Sequence, residues 1–128
     1  MCYFFSKKLS GDFEEAVERV TAALKQEGFG VLTTIDVKET LKKKLDVDFR
    51  NYTILGACNP PYAYKALLAE DKIGTMLPCN VIVQELDDGT IEAAAVDPAA
   101  SMQAVKNKEL EETASEVRDK LKRVIYSL

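Results

Sequence analysis

A chain of 128 residues with 47% apolar but only 8% aromatic side chains has the size of one ordinary domain and enough aliphatic material for one core. Its 17 Lys and Arg are outweighed by 21 Asp and Glu, and a net charge of -4 argues against electrostatic capture of nucleic acid or an anionic membrane surface. The absence of histidine removes the commonest general base and the favoured imidazole metal ligand together.

The start, Met1-Cys2-Tyr3-Phe4-Phe5-Ser6-Lys7-Lys8, lacks a basic segment followed by a long apolar one, and no run of about 20 apolar residues occurs. A cytoplasmic protein without a membrane span is expected. Residues 2 to 8 instead read as an opening strand, broken at Gly11. Asp12 and Glu15 have the spacing of an acidic helix start, and Phe13, Ala16, Val17, Val20, Ala23 and Leu24 recur at three-four intervals up to Gly28. Gly28 suits a left-handed helix end, and the β-branched run from Val31 to Ile35 predicts a second strand. Asp36 with Glu39 repeats the capping spacing, opening a short helix that ends near Val47, with Leu41 and Leu45 on one side.

Residues 51 to 58 predict a third strand, with Tyr52, Ile54, Gly56 and Cys58 on one face and Thr53, Leu55 and Ala57 on the other. Asn59 stands where a helix cap is needed, and Pro60-Pro61 is preorganised for the first turn. After an ordered loop over 73 to 78, Val81 to Leu86 and Thr90 to Val96 flank Asp87-Asp88-Gly89 as a hairpin. Asp97-Pro98 ends it and starts a helical turn. From Asn107 onward, Leu110, Ala114, Val117, Leu121, Val124 and Leu128 predict a long terminal helix with one apolar stripe.

Each helix has one apolar side, so the expected fold class is α+β, one domain over residues 1 to 128. A two-layer sandwich follows, with a mixed, mostly antiparallel sheet of about five strands and the helices on one face. Strand-helix-strand units permit parallel pairings, which leaves the strand order open. Small residues on the strands, Gly56, Ala57, Ala93, Ala94 and Ala95, would admit close approach of another surface and predict a homodimer.

Candidate chemistry gathers at two similar segments, Gly56-Ala57-Cys58-Asn59-Pro60-Pro61 and Leu77-Pro78-Cys79-Asn80-Val81. Cys58 precedes a helix start, a place that favours thiolate, which makes it the expected reactive thiol; its plain alternative is a small buried hydrophobe. An antiparallel pairing of the two strands would bring Cys58 and Cys79 to one sheet edge, and a parallel one would separate them. Three cysteines do not read as a disulfide framework, and the missing Cys-x₂₋₄-Cys spacing argues against a structural zinc or copper site. Asn59 and Asn80 can each offer an amide to a ligand, although capping alone explains Asn59. Lys42, Lys43 and Lys44 are read as the solvated face of a short helix.

These segments, with Gly28-Phe29-Gly30, Ile35-Asp36-Val37, Lys44-Leu45 and Asp97-Pro98, resemble the domain-of-unknown-function family 302 over most of the chain. The resemblance implies a compact two-layer α+β domain that self-associates and has a pocket near the motif residues. It brings no established catalytic residues, and the cofactor is unknown. The expected function is therefore a homodimeric binder of a small molecule or anion, with Cys58, Asn59, Cys79 and Asn80 nearest the ligand. The alternatives are a thiol-dependent redox or sulfur-transfer enzyme using Cys58, and a purely structural or interaction subunit.

Overall fold

The computed structural model describes residues 2–128. Its elements follow as β1 (Phe4–Leu9), α1 (Phe13–Gln26), β2 (Gly30–Asp36), α2 (Val37–Leu45), β3 (Tyr52–Cys58), α3 (Pro60–Ala69), a 3₁₀ turn (Ile73–Met76), β4 (Cys79–Glu85), β5 (Ile91–Val96), α4 (Pro98–Ser101) and α5 (Lys108–Tyr126). The 3₁₀ turn falls in the stretch read from sequence as a loop. Four helices start at side-chain caps: Asp12 accepts from Glu15 N, Asp36 from Glu39 N, Asp97 from Ala99 N and Ala100 N, and Asn107 from Glu109 N and Leu110 N. Helix α1 is left through Gly28 at φ +88°, a left-handed turn that a side chain would oppose.

The α+β reading holds, and the sheet is antiparallel throughout rather than mixed, in the order β1-β5-β4-β3-β2. Strands β1 and β2 do run the same way, as a strand-helix-strand unit allows. They never pair, because α1 carries the chain from one sheet edge to the other and three strands fill the gap.

Alternation along the strands sorts the side chains. Thr53, Leu55 and Ala57 share one face with Cys79, Val81 and Val83 and with Ile91, Ala93 and Ala95, all buried. Against this face pack Ala16, Val20 and Leu24 of α1 and Val117, Leu121, Val124 and Ile125 of α5. A smaller cluster, Ala66, Ile73, Met102, Leu110 and Ala114, joins α3 to the far end of α5. The opposite sheet face carries Phe4, Tyr52, Asn80, Ile82, Gln84, Glu92, Ala94 and Val96, which are half-buried or exposed. Helix α2 buries none of its side chains: Leu45 is exposed, and Leu41 is only half-buried.

The small strand residues do not act as the sequence suggested. A Cβ on Gly56 would collide with Thr33 Oγ1 and lie 2.9 Å from Pro78 Cγ, so its missing side chain makes room for neighbours in the same chain. Ala57, Ala93 and Ala95 lie beneath the helices. Only Ala94 of the five remains partly accessible on the opposite face.

Candidate functional site

Where β3 ends and β4 begins, the sheet, α3 and α5 flank a cavity of about 330 Å³ that is partly open to solvent. Ala57 and Cys79 come from the sheet, Tyr62 and Ala66 from α3, Ala114 and Val117 from α5, with Phe29 and Met102 completing the wall and Leu32 and Leu67 at the outer edge. The space follows from residue size: Ala66 and Ala114, on two helices that pack together, fill less volume than the aliphatics around them. Among the described residues no charged side chain lines it.

Three of the four expected site residues meet here. Strands β3 and β4 pair antiparallel with Ala57 opposite Cys79, so both cysteines lie at the same edge of the sheet and both line the cavity. Both are free thiols. Burial, and secondarily the neighbouring Cys58, pushes the Cys79 thiol up to about 11, which keeps it protonated at neutral pH. Cys58 is half-buried and more accessible.

Asn59 also lines the cavity, but its side chain does not cap α3 as the sequence suggested. Its Nδ2 donates to the Glu27 carbonyl, 3.1 Å away, tying the start of α3 to the end of α1. Its main-chain oxygen accepts from Ala63 N. Because Pro60 and Pro61 have no N–H, Tyr62 supplies the first amide that α3 can present. The helix start behind Cys58 is therefore poor in the donors that an anion or thiolate would need.

Asn80 is elsewhere. It is the second residue of β4, exposed on the opposite sheet face, where it borders a shallow depression with Phe4, Tyr52 and Ile82. The lysine run keeps its structural reading, since Lys42 pairs with Asp46 at 3.0 Å and Lys43 with Glu39 at 3.0 Å, all exposed. No cluster of three or more cysteine, aspartate or glutamate side chains suited to a metal occurs among the described residues. Sequence reasoning missed Tyr62, Met102 and Thr113. The stripe Leu110, Ala114 and Val117 was read as core, which it is, and Ala114 at its centre, with Ala66 on α3, was the trace of a void.

A two-layer domain with a neutral cavity at one sheet edge is the class of protein this geometry defines. The chain belongs to the family DUF302, a domain of unknown function, which matches residues 5–128. A solved relative, the uncharacterized conserved protein DUF302 from Bacillus stearothermophilus, is 30% identical, with 98% of each chain covered and a TM-score of 0.91. No curated protein matches the chain. Among the described residues no helix is long and apolar enough to cross a membrane.

Proposed function

We propose that this protein binds a neutral, largely apolar small molecule in the cavity between α3, α5 and the β3-β4 edge. The observation that carries this reading is a half-open, largely apolar cavity of about 330 Å³ with no charged side chain in its lining among the described residues, a volume within the range of small-molecule sites. It favours the small molecule over the anion, whose desolvation nothing in the wall would offset. The thiol-enzyme alternative has less support, because no charged group in the lining stands ready to deprotonate Cys58. A half-buried free thiol in the wall suits the reducing cytoplasm, and the family match over residues 5–128 suits a single domain.

The neutral fluorophore N-phenyl-1-naphthylamine tests the reading. Saturable fluorescence enhancement by the native protein is expected, with loss of the response in Ala114→Phe, which fills the cavity. Absence of saturable binding, or a response that Ala114→Phe leaves intact in a folded variant, would overturn it.

The homodimer belongs to the same proposal, now assigned to the sheet face opposite α1 and α5. Five strands about 4.8 Å apart and about six residues long, at 3.3 Å each, span roughly 480 Å² in projection. Corrugated side chains bring this to the order of the roughly 800 Å² per partner of a standard interface. Phe4, Tyr52, Ile82, Ala94 and Val96 give it an apolar centre. The bonds Arg50 Nε to Gln84 Oε1 (2.9 Å) and Gln84 Nε2 to Glu92 Oε1 (3.0 Å) give it a polar border. Light scattering at micromolar concentration should give a dimer mass that Ile82→Lys halves; a concentration-independent monomer would remove the dimer.

A further inference from the structure

Cavities that bind apolar molecules select among them through a few placed polar atoms. In this cavity the Asn59 amide and the Thr113 hydroxyl already donate within the protein. Asn59 Nδ2 donates to the Glu27 carbonyl at 3.1 Å, and the Thr113 hydroxyl donates to the Glu109 carbonyl at 3.1 Å. Lys65 and Lys120 flank the Tyr62 ring, 5.6 and 5.8 Å from its centroid. What the amide and hydroxyl leave free are acceptors.

Asn59 Oδ1 is the principal one. Glu27 O can only accept, so the amide nitrogen must be the atom that faces it, which fixes where Oδ1 stands. Asn59 is 8% exposed, and among the described residues its Oδ1 receives no hydrogen bond. Yet no side-chain nitrogen or oxygen among those residues is both fully enclosed and unpartnered. Oδ1 therefore keeps some access to free space, and Asn59 is one of the residues that line the cavity. An amide oxygen in a nearly buried site without a protein donor is left to water, and a ligand N–H or O–H placed there can take that water's place.

We infer that Asn59 Oδ1 is the polar anchor of the cavity, and that the ligand is a neutral apolar molecule bearing one hydrogen-bond donor, an N–H or O–H. This rests on the cavity-binding reading above and narrows it. Hydrocarbons lack the donor, and a carboxylate or phosphate would present oxygen to oxygen.

Two probe pairs of nearly equal shape separate the ideas: indole against indene, and 3-methylindole against 1-methylindole. Titrations followed by amide chemical shifts of the labelled protein should show the N–H member of each pair binding at least about 10-fold tighter, the worth of one hydrogen bond to an otherwise unpaired buried group. The preference should vanish in Asn59→Leu. If that variant does not fold, the N–H proton of bound indole in the native protein serves instead, shifting downfield if it donates to the amide oxygen. Equal binding within each pair, or an unshifted N–H proton, would overturn the anchor while leaving the cavity reading in place. No binding by any of the four would overturn both.

Discussion

Cys58-Asn59 and Cys79-Asn80 look like copies of one motif, yet the structure treats them differently. Cys79-Asn80 lies inside β4, where consecutive side chains point to opposite faces, so the cysteine enters the helix-covered core and the asparagine emerges on the other side. Cys58-Asn59 straddles the end of β3 and the start of α3. The chain is leaving the sheet there, alternation no longer applies, and both residues line one cavity. A dipeptide can act as a unit only where the backbone lets both side chains face the same space. The strand boundary decides this more than the residue types do.

The widest separation between the two segments should appear at their thiols. Cys79 is buried and pushed up to about 11, whereas Cys58 is half-buried and Cys2 exposed. Residue-resolved iodoacetamide labelling of the native protein near pH 8 should modify Cys2 first, Cys58 next and Cys79 last. Cys79 labelling as fast as Cys58 would end the contrast. The same burial has a linkage consequence: a thiol that holds its proton more tightly folded than unfolded contributes stability fully below the unfolded value, near 9, and loses it as pH rises toward about 11. The loss is on the order of 2 kcal/mol. Urea titrations at pH 8 to 11 under reducing conditions should show a steeper alkaline decline for the native sequence than for Cys79→Ala, and parallel declines would refute it.

Much of this arrangement was legible beforehand. Asp12, Asp36, Asp97 and Asn107 are local caps, each deciding its helix start within three residues. The alternation in β3 and the stripe on α5 placed the core correctly, because both are periodic and one-sided. What failed was long-range. The antiparallel order depends on where α1 deposits β2, and no local signal carries that. Gly56 invited a reading as an intersubunit contact because Thr33 and Pro78, 23 and 22 residues away in the chain, cannot be seen from its neighbours. Asn59 had the residue type and position of a cap, but the Glu27 carbonyl, 32 residues earlier, took its amide. The cavity was least legible of all, since a void is written only as the smallness of Ala66 and Ala114 on helices whose packing was unknown.

The asparagines give the last and smallest contrast. Asn59→Ala removes the donor to the Glu27 carbonyl in a nearly buried site and should lower stability by about 1 to 2 kcal/mol. Asn59→Asp should do worse, because it sets a carboxylate oxygen against that carbonyl in a site with little water. Asn80→Ala changes a side chain that is exposed within the chain, on the proposed dimer face, and makes no hydrogen bond among the described residues, so it should stay within about 0.5 kcal/mol. Chemical denaturation of the three variants decides the matter. If Asn80→Ala costs as much as Asn59→Ala, the proposed dimer face around Asn80 supports the fold as strongly as the Asn59 tie does, and the two segments are more alike than their places in the fold imply. If neither costs anything measurable, the Asn59 tie between α1 and α3 contributes nothing to the folded state, and its amide is free to turn toward a ligand with either end.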